Sequence, residues 1–347
     1  MTQETTKPFS GKTSIYAIAG LFIVAAVVVG GYAWIARTSP SHPAAPLEHV
    51  TIANTRYAGM CPIYVAKDKG YFASEGLVVA IQPHNSGTAS LDAAFRGQSD
   101  LGTAADVPIM FAAMNGQPVS IVATISTAEK DLGIIGRKDK GIATPASLKG
   151  KRVGVTLGTA GHFVLDAFLT RERLSASQIE VRDLKPEQLS EAFANGDIDA
   201  ASTWQPILGA LQTQLGANGT VFLATDIYDL AGNLAGSRDY VASHPETIKK
   251  VLRAVVRGAR FCKDAPDSAR EIVAKAMPTD ATKLKEFWAS YRFNIALDQS
   301  LVLALEDETR WAIKNKLTGR TDMPNYLNYV YLDALEAVAP AAVTVIH

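Results

Sequence analysis

The stretch of sequence that decides the fold is residues 49–105, where apolar runs alternate with segments of helical period. It begins with HVTIANTR at residues 49–56, continues as PIYVAKDKGYFASEGLVVAIQPH at residues 62–84, and ends in DLGTAA at residues 100–105. Apolar runs separated by segments of helical period predict strands that alternate with helices. That alternation is typical of an α/β fold, in which a mostly parallel sheet is covered by helices.

The same alternation continues through the middle of the chain and gives way to helices near residue 245. KRVGVT at residues 151–156 predicts a strand, and a helix is predicted over residues 162–174. Ser243 and Glu246 have the spacing of a capping box, and Pro245 suits a first helical turn, so we predict a helix start there and a helical last third. The absence of a repeat of fixed period argues against solenoids and propellers.

Length, composition and charge exclude several classes of protein. The chain has 347 residues, 48% of them apolar, and 34 Lys and Arg side chains balance 34 Asp and Glu side chains. A disordered tail and a disulfide-stapled miniprotein are therefore excluded, and two domains fit the length. Zero net charge and the lack of any run of five like charges argue against nucleic-acid binding.

The cysteines and histidines give no sign of a metal or cofactor site. Cys61 and Cys262 can form one disulfide bond at most, and their spacing leaves open whether they do. The six histidines lack the spacing typical of metal ligands. We expect no metal and no cofactor, and no nucleophile with a supporting base indicates catalysis.

The N-terminal segment predicts export. Residues 15–36 contain no charged side chain, and as a helix these 22 residues would cross a hydrocarbon core about 30 Å thick. Lys7 and Lys12 precede this segment and Arg37 follows it, which slightly favours a cytoplasmic location for residues 1–14. We predict an uncleaved transmembrane signal anchor in the inner membrane with the rest of the chain in the periplasm. A cleaved secretory signal, which would leave a periplasmic protein, stays open.

Four phrases, in this order, resemble the substrate-binding proteins of ABC importers for nitrate, sulfonates and taurine. They are PIYVAKDKGYFASEGL at residues 62–77, LDAAFRGQSDLGTAA at 91–105, LKGKRVGVTLGTAGHFVL at 148–165 and AFANGDIDAASTWQP at 192–206. The same superfamily includes proteins similar to thiamine-pyrimidine synthase. The resemblance extends from about residue 49 to about residue 265, with the phrases in the order that the family has them.

Prolines at positions 40, 43 and 46 predict a stiff, extended linker over residues 37–47. For the chain beyond it, the resemblance implies a two-lobed periplasmic-binding-protein fold of type II. One lobe would comprise residues 48–128 plus 235–347, and the other residues 129–234. The ligand would lie in the cleft between the lobes, which would close by a hinge motion and present it to a membrane permease with its ATPase. We expect a monomer, and we interpret residues 318–347 as helical packing on the first lobe.

Two loops of small residues are candidates for binding an anionic group of the ligand. The first-lobe candidates are Ser86, Gly87 and Thr88, and the second-lobe candidates are Gly158, Thr159, Ala160 and His162. Each loop follows a predicted strand and precedes a predicted helix, where backbone N–H groups can face an anion. Together they would clamp a sulfonate, a carboxylate or nitrate. The alternative for the first loop is that it only caps its helix.

Five further residues are assigned to the cleft from their positions and from the resemblance. They are Tyr57, Ala105, Asp106, Trp204 and Asn233. Asp106 has an alternative role as a helix cap; if it reaches the cleft, it favours a ligand with an amino group, so that taurine-like zwitterions outrank nitrate. Trp204 would either cover an apolar ligand stem or pack between the lobes.

Three functions compete at this point. The leading hypothesis is the solute-binding component of an ABC importer for a small anionic or zwitterionic solute of the sulfonate, taurine or nitrate class. A pyrimidine synthase-like enzyme on the same fold is an alternative, although the cysteine-rich iron-binding run of those enzymes is missing here. A membrane-tethered solute sensor is the third hypothesis, supported only by the N-terminal segment.

Overall fold

The computed structural model describes residues 1–3, 5–6, 47–277 and 279–346. Residues Leu47–His347 form one compact unit. The predicted membrane segment at residues 15–36 and nearly all of the predicted linker lie outside the described residues. None of the helices within the described ranges is both long enough and apolar enough to cross a bilayer.

The compact unit is built on two sheets, and we call each sheet with its helices a lobe. The strands of lobe 1 are β1 Glu48–Thr55, β2 Leu77–His84, β3 Leu101–Ala105, β4 Val119–Ala128, β10 Leu230–Ser237 and β11 Tyr291–Arg292, in the spatial order β11-β4-β10-β3-β1-β2. The strands of lobe 2 are β5 Leu132–Arg137, β6 Arg152–Val155, β7 Glu180–Asp183, β8 Ala200–Trp204 and β9 Gly219–Leu223, in the order β7-β6-β8-β5-β9. The α/β class is therefore confirmed.

The predicted mostly parallel sheet is only partly correct, because each lobe contains a strand that runs against its neighbours. Strands β1, β2 and β3 pair in parallel, as do β6, β7 and β8. Strand β10 is antiparallel to β3 and β4, and β5 is antiparallel to β8 and β9. Both strands follow a crossing of the chain between the lobes, at residues 129–131 and 224–229, so no helical crossover sets their direction. The residue boundaries proposed for the two lobes stay predictions.

Helices follow most of the strands and dominate the last third of the chain. In the first two thirds they are α1 Cys61–Asp68, α2 Tyr71–Ser74, α3 Gly87–Phe95, α4 Asp106–Met114, α5 Ala160–Arg171, α6 Leu189–Asn195, α7 Ile207–Leu215 and α8 Arg238–Ser243. They continue as α9 Pro245–Asp264, α10 Pro266–Ala276, α11 Ala281–Trp288, α12 Gln299–Lys314 and α13 Asp333–Val338. The helix predicted over residues 162–174 is thus found slightly earlier. The described residues 318–346 are less helical than predicted, since α13 is accompanied there only by short 3-10 turns.

The longest helix of lobe 1, α9, packs closely on α1. A Cβ atom added to Gly258 of α9 would lie 2.1 Å from the carbonyl oxygen of Pro62, so only glycine allows this approach. One turn later, Cys262 forms a disulfide bond with Cys61, with the two Cα atoms 6.3 Å apart. Both cysteines are buried. The pairing that the sequence left open is therefore made, and it joins α1 to α9.

The predicted capping box before α9 is wrong, although α9 begins at Pro245 as expected. Ser243 is the last residue of α8, and its hydroxyl donates a hydrogen bond to the Asp239 carbonyl oxygen at 2.6 Å. A serine within a helix commonly bonds back to the preceding turn in this way. Glu246 instead pairs with Lys249 at 2.8 Å. The residues before the helix start are themselves helical, which a motif of four residues does not reveal.

Candidate functional site

A small cavity lies between the two lobes, at the ends of strands from both sheets. Its volume is about 40 Å³, and its walls are Thr55, Tyr57, Met60, Gly87, Ala105 and Pro108 of lobe 1, Thr159, Ala160 and Trp204 of lobe 2, and Leu230, where the chain returns to lobe 1. The carboxyl ends of strands are where open α/β sheets bind ligands. A space of this size holds only a few water molecules, so a larger solute requires the lobes to separate.

The structure brings together half of the residues that were predicted to bind ligand. Those that line the cavity are Tyr57, Gly87, Ala105, Thr159, Ala160 and Trp204. Thr88, Gly158 and His162 line a groove of about 410 Å³, which shares Pro108 with the cavity. Ser86, Asp106 and Asn233 are on neither wall. The two predicted loops therefore face each other across the lobe boundary, and their ligand contacts stay predictions.

The first loop places the start of α3 against the cavity. Ser86 is the N-cap of α3, and its hydroxyl oxygen accepts a hydrogen bond from the Ala89 N–H at 3.2 Å. The capping alternative therefore holds for this serine. Gly87 is packed on β3, since an added Cβ would lie 2.9 Å from the Cβ of Ala104. A residue larger than glycine would push the loop away from the sheet and change the cavity wall.

The second loop contains a backbone conformation that favours glycine, and it also contains an uncharged histidine. Gly158 has a φ of 72°, in the left-handed region. The Thr159 hydroxyl donates to the Thr156 carbonyl oxygen at 2.7 Å, and the Gly158 N–H donates to Nδ1 of His162 at 3.4 Å. Burial lowers the pKa of His162, against the opposing charges of Asp166 and Asp183. The imidazole is therefore neutral near pH 7, and the loop residues Gly158, Thr159, Ala160 and His162 present no positively charged side chain to an anion.

Trp204 and Tyr57 are the aromatic walls of the cavity. Trp204 ends β8, pairs with Leu132 of β5 and is 8% exposed. The Tyr57 ring packs edge-on against Tyr291, with the ring centroids 5.6 Å apart. The buried hydroxyl of Tyr57 lies within hydrogen-bonding reach of the Tyr291 side chain. It is a polar group on the cavity wall.

Asp106 lies directly behind the cavity wall and is paired with residues from distant parts of the chain. It is the first residue of α4 and not its N-cap, which is Ala105, so the predicted capping role is wrong in this detail. Its Oδ1 accepts hydrogen bonds from the Val107 N–H at 3.1 Å and from the Tyr228 hydroxyl. Burial raises the pKa of Asp106 to about 6, although these hydrogen bonds oppose the shift.

Glu308 of α12 lies beside this aspartate. It is 1% exposed, and burial, with the negative charge of Asp106 as the next cause, raises the pKa of Glu308 well above its ordinary value. Two buried carboxyl groups at close range resist ionising together, so the two raised pKa values favour a state in which Asp106 and Glu308 share a proton.

A third buried carboxyl group lies at the first chain crossing. Asp131 accepts a hydrogen bond on Oδ1 from the Tyr291 hydroxyl at 2.5 Å, and its backbone carbonyl accepts the Gln205 N–H at 3.0 Å. Burial raises the pKa of Asp131 to about 7, with the Tyr291 hydrogen bond opposing. Through Gln205, which follows Trp204, this residue ties the crossing to the cavity wall.

Trp311 joins the lobes at the other side of the cleft. Its Nε1–H donates to Oδ2 of Asp166 at 3.0 Å, so α12 of lobe 1 is bonded to α5 of lobe 2. The Trp311 ring also packs edge-on against His162 and Phe163, with centroids 5.1 and 5.2 Å apart. These contacts hold the lobes in the closed arrangement seen here.

Asn233 has a structural role within the sheet of lobe 1. Its Oδ1 accepts from the Thr124 hydroxyl at 2.7 Å, and its Nδ2 donates to the Ala231 carbonyl at 3.0 Å.

The sequence analysis did not predict that Asp131, Tyr228, Tyr291, Glu308 and Trp311 lie at the lobe boundary. The position of Asp131 between two strands could have indicated a place where the chain crosses between the lobes. The other four residues belong to no local sequence motif. In the described part of the chain, no group of His, Cys, Asp and Glu side chains could hold a metal ion.

Comparison with known proteins identifies the family. The family model described as NMT1/THI5 like matches residues 58–269, more than half of the chain. The taurine-binding periplasmic protein of Escherichia coli K12 is 26% identical over 205 residues, which are 56% of this chain and 61% of that protein. The riboflavin-binding protein RibY of Chloroflexus aurantiacus is 27% identical over 254 residues, 69% and 70% of the two chains.

Solved structures share the fold. The crystal structure of the periplasmic aliphatic sulphonate binding protein SsuA from Escherichia coli superposes with a TM-score of 0.69 at 21% identity. The alignment covers 79% of this chain and 94% of SsuA. The two-lobed periplasmic-binding-protein architecture predicted from the resemblance is therefore confirmed. With the family model matched across both lobes, this chain belongs to the NMT1/THI5-like family.

Proposed function

We propose that the protein is the solute-binding component of an ABC importer. The observation that carries this proposal is the cavity itself, which loops of both lobes enclose at the carboxyl ends of their strands. Such a site opens when the lobes separate and buries its ligand when they close. Binding proteins among the relatives, and the likeness to SsuA, support the same function. The closed form would dock on a membrane permease that works with an ATPase.

The ligand that we propose is a small anion or zwitterion of the sulfonate, taurine or nitrate class. The starts of α3 and α5 lie on opposite walls of the cavity, at Gly87 and Ala160. The N-terminus of a helix offers unpaired N–H groups and a partial positive charge, so two of them favour an anionic group between them. Trp204 would cover the apolar stem of the ligand. The relatives named for taurine and sulphonate binding support this class.

We further propose that the binding domain acts outside the cytoplasm. The Cys61–Cys262 disulfide supports this location, because disulfides persist mainly in oxidising compartments. Residues 15–36 would act as a membrane anchor, with a cleaved signal as the alternative. N-terminal sequencing of the protein recovered from cells separates the two forms. Detection of the segment in the mature chain supports the anchor, and a start beyond residue 36 contradicts it.

We assign the protein no catalytic step. The enzyme alternative on this fold was a pyrimidine synthase with a cysteine-rich iron-binding run. The two cysteines of this chain are both consumed by the disulfide, so they supply no thiolate ligands. This supports a binding protein over that enzyme.

The test is a thermal-shift screen of the full-length chain in detergent. The compounds are taurine, ethanesulfonate, nitrate, bicarbonate and amino acids. A ligand at ~100 times its dissociation constant stabilises the folded state by about 2.7 kcal/mol, which is measurable as a rise in Tm. We expect at least one compound to raise the Tm and to compact the protein in solution scattering. A folded protein that responds to no compound in this way would contradict the receptor function.

A further inference from the structure

A second, larger space lies between the two lobes, a groove of about 790 Å³ that we call the hinge groove. One of its walls consists of residues on α7 and β9 of lobe 2, and the other consists of residues on and beside α11 of lobe 1. Glu129 and Lys130, at the first chain crossing, line it as well. Because each lobe supplies one wall, the width of the hinge groove depends on how the lobes are placed relative to each other.

The hinge groove and the candidate cavity lie on opposite sides of a single layer of residues. In lobe 2, Trp204 lines the cavity, and the next residue, Gln205, lines the groove. In lobe 1, the Tyr291 ring packs edge-on against Tyr57 of the cavity wall and against Phe287 of the groove wall, with centroids 5.6 and 6.1 Å apart. The side chain of Tyr291 therefore separates the two spaces in lobe 1, as the step from Trp204 to Gln205 does in lobe 2.

Both chain crossings pass through this layer. The first ends at Asp131, whose carbonyl oxygen accepts the Gln205 N–H at 3.0 Å and whose Oδ1 accepts the Tyr291 hydroxyl at 2.5 Å. The second crossing follows Leu223 of the groove wall and ends before Leu230 of the cavity wall. Lobes rotate about the few residues that connect them. The hinge axis thus lies between the two spaces, and a rotation that widens the cavity narrows the hinge groove.

We propose that the hinge groove limits how far the lobes open, because α7 and α11 meet when it has closed. This inference rests on the hinge closure in the proposed function, and it adds that residues of the groove determine ligand affinity without contacting the ligand. A large side chain in the groove has room in the closed arrangement seen here, but it would collide with the opposite wall as the lobes separate. It would raise the closed fraction of the free protein, and the apparent dissociation constant falls as that fraction rises.

The experiment adds one large side chain to either wall and measures the distance between the lobes. Ala210 of α7 and Ala289, directly after α11, are exposed residues of opposite walls, and each is replaced by tryptophan. Spin labels on Asn85→Cys and Lys185→Cys report the separation. Both residues are exposed, and they lie just after β2 and β7, the edge strands farthest from the strands that the crossings join. Electron spin resonance then gives the distance distribution of the full-length chain in detergent, without ligand.

We expect Ala210→Trp and Ala289→Trp to shift the label distances to shorter values than in the parent, or to leave them short where the parent is already closed. Trp311→Phe supplies a background that favours the open form, because it loses the hydrogen bond to Asp166 of the other lobe. In that background each groove variant should reverse the lengthening.

Binding provides a second measurement, and an exposed alanine outside the groove provides the control. Taurine or ethanesulfonate, if it binds the parent in calorimetry, should bind both groove variants more tightly, by up to about tenfold where the closed form is about a tenth of the free parent. Ala242→Trp, at an exposed residue of α8 that is not on the groove wall, should leave both the distances and the affinity as in the parent.

The contrary outcomes separate this inference from the proposed function. Groove variants that leave the long distances of the Trp311→Phe background unchanged overturn the inference and leave the receptor function standing, since the lobes would then open without closing the groove. A single short distance in every protein, Trp311→Phe included, also overturns it, because there would be no opening to limit. Equal shortening in Ala242→Trp contradicts it as well. Silence across the wider compound screen contradicts the receptor function instead and leaves the label distances as the test of the groove.

Discussion

Replacing Gly258 by alanine should destabilise the protein, although the same change in most helices does the opposite. Within a helix, alanine is favoured over glycine by about 1 kcal/mol. In α9, however, the new Cβ would lie 2.1 Å from the Pro62 carbonyl oxygen, 3.0 Å from its carbonyl carbon and 3.2 Å from its Cα. All three atoms belong to the backbone, so no change of side-chain rotamer relieves the contact.

The size of the effect follows from the movement that alanine would require. Ordinary contact begins at 3.4 Å, so α9 and the Pro62 peptide would have to separate by more than 1 Å. The disulfide between Cys61 and Cys262 resists that movement, because it joins the same two helices one turn away. Overpacking of this kind costs about 1–3 kcal/mol, which outweighs or cancels the helical gain. We expect a net loss of up to about 2 kcal/mol in the free energy of unfolding.

Urea unfolding followed by tryptophan fluorescence measures this loss. The matched control is Gly209→Ala in α7, where the added Cβ meets only the end of the flexible Gln205 side chain, with Oε1 nearest at 3.0 Å. That variant should be as stable as the parent or slightly more stable. Gly258 is not on the cavity wall, so ligand affinity should be unchanged in Gly258→Ala. A Gly258→Ala protein at least as stable as the parent would refute the packing argument.

Three further changes test the cleft and its buried charges. Trp204→Ala removes an aromatic wall of the cavity, so any compound that stabilises the parent should bind this variant about tenfold or more weakly, while the circular dichroism spectrum is retained. Unchanged affinity in calorimetry would exclude Trp204 from the site. Gly158→Val introduces a branched side chain at a φ of 72° and should abolish binding, whereas wild-type affinity would argue against the two-loop clamp. Asp131→Asn should become more stable relative to the parent as the pH rises from about 4 to about 7, because the pKa of Asp131 is raised from 3.8 to about 7 in the folded state, so deprotonation is harder there than in the unfolded chain. Urea unfolding at pH 5 and pH 8 checks the sign, and an identical difference at both pH values contradicts it.

The sequence predicts well those strands and helices whose own apolar period shows which face is buried. The strand at KRVGVT and the helix after it are found close to the predicted positions, because their apolar period reflects which face each presents to the core. The direction of β5 and β10 was not predictable in this way. A buried strand has the same composition whether it runs parallel or antiparallel, and its direction here is set by where the chain crosses between the lobes.

The residues of the candidate site likewise fall into those that a local pattern predicts and those that only distant contacts bring together. The loops at Gly87 and Thr159 could be predicted, because small residues between a strand and a helix are a local pattern. The partners of Asp106 could not, since Tyr228 and Glu308 are more than a hundred residues away and meet it only through the packing of α12 and the second crossing. From sequence alone, an Asp or Glu in a predicted helix is expected to be exposed to solvent, because these residues are rarely buried.

The position of β10 between β3 and β4 bears on how the chain must be made. Strands β3 and β4 belong to the first part of the chain, but β10 is hydrogen-bonded to both of them and follows the whole of lobe 2 in sequence. A chain that emerges N-terminus first, from a ribosome or a translocation channel, therefore leaves the edges of β3 and β4 that face β10 unpaired while lobe 2 is being synthesised and folded. Such edges are sites of mispairing between molecules. Biogenesis of this protein should accordingly be most vulnerable to aggregation in nascent chains that stop short of residue 230, and that interval is where a chaperone would have most to protect.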